Sequence, residues 1–246
     1  MKQIVNITVP SCWQDLSDKQ MHFLFGLLTG EFSLSQVQTM CLIKWSGLKV
    51  LRREGAIYVV KYKKQVFPLS AQQLAEAQQA LNWIGDFPVY PVRLSKIGFH
   101  KPLPANFQGV KFGEFLALDN LYQGYLQTKK NEIAVEMTKI LYQSTRIHRI
   151  TPIEEINTVY WFTSLKRYFA DMFRHYFKQS DDNALAPPII NFSYLQKNMN
   201  TQIRALTGGD ITKEEQVLNM DVWRALTELD AKAKDFEEME RNRKKK

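Results

Sequence analysis

The chain announces its helices with one recurring signature, a serine or threonine followed three residues later by glutamine or glutamate. It occurs at Ser17 and Gln20, Ser33 and Gln36, Ser70 and Gln73, Thr151 and Glu154, and Thr212 and Glu215. This is the spacing of a capping box. The hydroxyl accepts from an unpaired N–H of the first turn, and the longer side chain reaches back to the backbone N–H of the cap. Apolar residues at helical steps follow each signal: Met21, Leu24, Phe25 and Leu28 up to Gly30, then Val37, Met40, Cys41 and 43–45 up to Gly47, then Leu74, Ala77, Leu81 and Trp83. Thr151 is reinforced by Pro152 in the first turn and predicts a helix to about Lys178. Thr212 predicts a last long helix running to near Arg241.

Between these signals the pattern shortens. Residues 3–9 read as a strand stopped by Pro10. Residues 48–51, 56–62 and 65–69, with turns at Gly55 and Lys63-Lys64, predict a small hairpin or meander. Residues 89–94 read as extended. Prolines 88, 91, 102 and 104 mark a boundary. Helical spacing resumes at 112–125 and 133–142, a loop is expected at 180–188, and a further helix at 192–206 ends at Gly208-Gly209. The fold class is therefore α+β, predominantly α, with a small N-terminal β-element, a helical body and a long C-terminal helix. The expected organisation is an α+β region at 1–95, a helical region at 96–207, and a hinge with amphipathic helix and basic tail at 208–246.

A formal charge of +8 on 246 residues invites a nucleic-acid reading. Arg241, Arg243, Lys244, Lys245 and Lys246 carry five of those charges, and removing them leaves +3 on the other 240 residues. Most of the excess is thus a terminal tag, whose ordinary fate is a solvated, disordered end. The first residues lack a signal-peptide pattern, and the apolar stretch 21–28 is far shorter than the ~20 residues a membrane span needs. Cys12 and Cys41 need not pair. A protein of the cytoplasm, with no membrane contact, is the expectation.

No catalytic or metal-binding pattern stands out, and no cofactor is expected. His22, His100, His148 and His175 have no His or Cys three or four residues on, and HExxH, CxxC, P-loop and G-x-S-x-G patterns are absent. Glu154 and Glu155 suit the positive end of a helix better than paired acid–base work. In 152–178, Tyr160, Trp161, Phe162, Tyr168, Phe169, Phe173, Tyr176 and Phe177 interleave with Lys166, Arg167, Arg174 and Lys178. Such a mixture can stack on bases, but Trp161, Leu165, Tyr168 and Met172 keep core-face spacing. Near the end, Val222, Leu226, Leu229, Ala233 and Phe236 form a heptad seam. That seam must dock, either on its own body or on a partner helix, and its period is the same in both cases.

The stretch Asn200-Thr201-Gln202-Ile203-Arg204-Ala205-Leu206-Thr207-Gly208-Gly209-Asp210-Ile211-Thr212-Lys213-Glu214, followed by Trp223-Arg224-Ala225-Leu226-Thr227-Glu228-Leu229-Asp230, resembles tail assembly chaperone-like proteins of tailed phages and prophages, encoded near the tape-measure protein. Ile43-Lys44-Trp45-Ser46-Gly47-Leu48-Lys49 and Asp119-Asn120-Leu121-Tyr122-Gln123-Gly124-Tyr125 share the resemblance. It implies a non-enzymatic helper in the host cytoplasm that binds a helical partner, the tape-measure or tail-tube protein, or another copy of itself. The implied contact face is Val222, Trp223, Leu226, Leu229 and Phe236. The chain is longer than many such chaperones, which leaves a structural role in the tail as a second implication. A nucleic-acid module built on 152–178 and the basic tail is the alternative from a different class.

Overall fold

A computed structural model describes residues 7–144, 149–177 and 192–244. The expected strand over residues 3–6, the loop at 180–188, His148, and Lys245 and Lys246 lie outside the described residues. The chain divides into two compact units, Met1–Leu94 and Ser95–Lys246. The expected division at 208 does not occur, because the C-terminal helix belongs to the core of the second unit.

The first unit holds α1 (Asp18–Leu28), α2 (Leu34–Ser46), a three-stranded antiparallel meander of β1 (Lys49–Glu54), β2 (Ile57–Tyr62) and β3 (Gln65–Ser70), and α3 (Ala71–Gln78), which tightens into a 3-10 turn at Gln79–Gly85. The boxes at Ser17, Ser33 and Ser70 are all formed, with both reciprocal bonds present. Each is worth about 1 kcal/mol relative to alanine. In the meander Val60 pairs with Phe67 and Tyr58 with Leu69, and these side chains form the covered face. Val59, itself buried, pairs with Pro68, and Lys61 with Val66, on the other face, where Lys61, Val66 and Pro68 are exposed. Residues 7–9 and 89–94 have no regular structure, so the extended readings there are corrected.

Three tryptophans anchor this unit. Trp13 and Trp83 meet edge to face with centroids 5.4 Å apart, and Trp45 stacks on Trp83 at 6.3 Å. Trp13 Nε1 donates to the Asp86 carbonyl at 2.8 Å, and Trp83 Nε1 donates to the Pro10 carbonyl at 3.2 Å. Trp45 Nε1 is buried and meets no partner among the described residues. A buried donor without a partner costs stability rather than supplying it.

The second unit holds α4 (Phe112–Thr128), α5 (Asn131–Leu141), α6 (Pro152–Met172), α7 (Phe192–Thr207), the short α8 (Glu214–Leu218) and α9 (Val222–Lys244). Its centre is the 104–110 loop. Phe107 is fully buried with φ of 61°, a backbone conformation that bulky residues rarely adopt. Its ring meets Trp161 edge to face at 5.9 Å. Trp161 Nε1 donates to the Ala105 carbonyl and Trp223 Nε1 to the Asn106 carbonyl, both at 2.8 Å.

Two boundaries differ from expectation. The helix opened at Thr151 stops at Met172, short of Lys178. Carboxylates of α9 hold the following turn: Asp230 Oδ1 accepts from the Tyr176 N–H at 2.9 Å, and Glu237 Oε2 lies 3.2 Å from His175 Nδ1. The last long helix starts at Val222 rather than at Thr212. Asp210, not Thr212, caps the 3-10 turn there, and Asp221 caps α9, its Oδ1 accepting from the N–H groups of Trp223 and Arg224. The other oxygen of Asp221 accepts from the Gly109 N–H at 2.8 Å.

Trp13→Phe should destabilise the protein by about 1–3 kcal/mol more than Trp45→Phe, because only the first substitution leaves a carbonyl without its donor. Urea unfolding of the two variants measures the difference. A second expectation concerns Cys41, whose thiol burial pushes from an ordinary 9.0 up to about 12. The unfolded chain ionises first as pH rises, so stability is full below pH 9 and falls between 9 and about 12. Urea midpoints at pH 8 and pH 10 should show this fall, and Cys41→Ala should reduce it.

Candidate protein-binding surfaces

The expected contact face of the C-terminal helix is spent inside its own unit. Val222 and Leu226 are fully buried, and Leu229 is nearly so. Trp223 lies against Tyr168, Phe169 and Phe173, with centroids 5.8, 5.5 and 5.6 Å away. Phe236 alone of the five remains open, at 63% exposure. The partner-binding assignment of Val222, Trp223, Leu226 and Leu229 is therefore corrected, because α9 packs on α7 and α4 of its own unit and Trp223 turns to α6 and the 104–110 loop.

The aromatic helix offers no stacking platform either. Trp161, Phe162, Leu165 and Phe169 are fully buried. Lys166 is drawn inward to Asp119 Oδ1 at 2.8 Å rather than presented to a phosphate. The nucleic-acid reading of 152–178 is corrected on this packing. At the end of α9, Arg241, Arg243 and Lys244 are exposed but helical, not disordered.

What the structure does leave open is an apolar groove in the first unit, of about 490 Å³. Phe23 of α1 forms one wall. Met40, Ile43 and Lys44 lie one turn apart on α2, and Gly47, Leu48 and Lys49 carry the floor into β1. Met40, Ile43 and Gly47 share a face because they step by three and four residues. Gly47 has φ of 75°, the left-handed end of α2 that glycine adopts without strain, and it turns the chain sharply into the sheet. Lys44 Nζ sits 5.8 Å from the Phe23 ring centre, so its stem covers apolar surface while its charge rims the groove.

A second concavity, of about 350 Å³, lies in the other unit where α7 ends. Asn200, Ile203, Arg204 and Thr207 of α7 line it with Gly209, Ile211 and Glu214. Gly208 and Gly209 both have positive φ, 66° and 88°, and reverse the chain there. Asp210 fixes the turn by accepting from Thr212 N at 3.0 Å and Thr212 Oγ1 at 2.7 Å, which holds its carboxyl below the usual range. The turn projects Ile211 into solvent at 84% exposure.

Among the described residues no group of three or more His, Cys, Asp or Glu side chains is gathered as a metal site would need. No described helix is long and apolar enough to cross a membrane. Neither the 490 Å³ groove nor the 350 Å³ cleft was legible as a site in the sequence, since each draws residues from several elements without a period. Comparison of the chain with protein-family models, with curated proteins and with solved structures finds no match.

Leu226→Ala should cost about 2–5 kcal/mol, as for a leucine deleted from a close-packed core. Phe236→Ala should stay within about 0.5 kcal/mol of the parent. Equal effects of the two substitutions in urea unfolding would contradict docking of the seam within its own unit.

Proposed function

We propose that this chain is a non-enzymatic assembly protein that grips a helical, apolar-seamed partner in the groove between α1 and α2. The client class follows from the resemblance stated above: a tape-measure or tail-tube protein of a tailed phage, bound in the host cytoplasm. The observation that carries the reading is the groove itself, with four apolar side chains, Phe23, Met40, Ile43 and Leu48, lining an open channel with lysines at its rim. An amphipathic helix binds such a channel by laying side chains at i, i+3, i+4 and i+7 along it. Burying a client leucine there contributes about 1.5–3 kcal/mol and hides the client's seam from other clients.

The resemblance and the geometry converge at two places. Ile43, Lys44, Gly47, Leu48 and Lys49 belong to one of the segments that carry the resemblance, and they line the groove. All the residues lining the second concavity fall within Asn200 to Glu214, the longest such segment. The C-terminal seam, spent on its own core, plays a structural part in this reading.

The test is co-expression with the long, helix-rich product expected to be encoded next to this chain. The parent should keep that product soluble. Ile43→Asp places a carboxylate in the groove and should weaken the complex by about 10–100-fold. If Ile43→Asp folds with the parent's thermal midpoint and still holds the client in solution, the groove is not the binding site.

A further inference from the structure

The groove does not end at Leu48. Lys49 is both its last lining residue and the first residue of β1, so the channel opens directly onto the sheet. Over 44–64 the cations are Lys44, Lys49, Arg52, Arg53, Lys61, Lys63 and Lys64, and Glu54 is the one acid. The basic tail carries five positive charges; this run, seven cations against one acid, is a second concentration, and it lies in a different unit.

The register aligns these charges. Lys49 stands directly opposite Lys61, and Arg52 opposite Val59. Val59 and Lys61 are two apart on β2 and share a face, so Lys49, Arg52 and Lys61 project from the same side of the sheet. All three are exposed. Glu54 is taken by Arg52. Lys49 and Lys61 make no ion pair among the described residues. Like charges directly opposite each other weaken a sheet, and an anionic partner converts that cost into attraction.

We propose that the occupant of the groove is an acidic amphipathic helix. Its apolar side enters between Phe23, Met40, Ile43 and Leu48, and its flanking carboxylates lie against Lys49 and Lys61. This inference rests on the groove reading above and adds the charge of the partner. A protein helix fits better than a nucleic acid because Lys49 joins the two surfaces. A phosphate chain would use the lysines and leave the adjoining apolar channel empty, whereas one helix with an acidic flank uses both.

The test uses the full chain and three probes in fluorescence anisotropy. The first is a designed amphipathic peptide of about 18 residues with a leucine seam and glutamate flanks, long enough to form a helix on binding. The second replaces each glutamate by glutamine, and the third is a single-stranded oligothymidylate. At about 50 mM salt the glutamate peptide should bind about tenfold tighter than the glutamine peptide, and the advantage should shrink at about 0.5 M salt, where screening is strong. Lys49→Ala with Lys61→Ala should erase the glutamate peptide's advantage over the glutamine peptide. Equal binding of the two peptides at low salt overturns the acidic partner and leaves the groove reading standing. Binding of neither peptide overturns both. Oligothymidylate that binds tighter than the glutamate peptide, and loses that binding in the lysine double variant, assigns the face to nucleic acid instead.

Discussion

The second unit is organised around two successive carbonyls, those of Ala105 and Asn106. Each is claimed by an indole from a different helix, Trp161 of α6 and Trp223 of α9. Asp221 then takes the Gly109 N–H while capping α9. A buried carbonyl without a donor is costly, so the loop cannot close on one helix alone. Phe107 can hold its left-handed backbone only because both indoles fix the residues beside it. The loop therefore ties the middle of the chain to its last helix, and that tie makes Ser95–Lys246 one unit.

The same tie explains what became of the C-terminal seam. A heptad period records only that an apolar stripe will be covered. Whether the cover comes from the same chain is decided by α4 and α7, which pack on α9, while Tyr168, Phe169 and Phe173 close on Trp223; their arrival leaves no local trace in the sequence. The open apolar groove lies in the other unit, where α1, α2 and β1 meet without covering Met40 and Ile43 fully.

Much of the fold was legible. The boxes at Ser17, Ser33, Ser70 and Thr151 start helices at the expected residues, because a cap is a local contract between a side chain and the next three N–H groups. The meander followed from Gly55 and the lysine turn. The failures are tertiary. The Thr212 signal lost to Asp210, seven residues after the buried Ile203, and the long helix waited for Asp221, an aspartate directly before an apolar run. The helix opened at Thr151 was cut short by Asp230 and Glu237, more than fifty residues away. The groove was illegible for the same reason, since Phe23 and Leu48 become neighbours only after α1 folds against α2. Its one visible trace was the run of cations from Lys44 to Lys64, which the total charge blurred into the basic tail.

The reach between Asn106 and Trp223 spans 117 residues. At ribosomal speeds that gap is about 6–23 seconds of synthesis. Over its last part, the 50 residues from Phe173 to Trp223 or about 2.5–10 seconds, the rings of α6 wait for Trp223. The first unit waits less, since Trp13 finds the Asp86 carbonyl 73 residues on, about 4–15 seconds later. The nascent polypeptide thus emerges with a finished head and a sticky, half-built body, and for those seconds a protein proposed to shield others stands in need of a holdase itself.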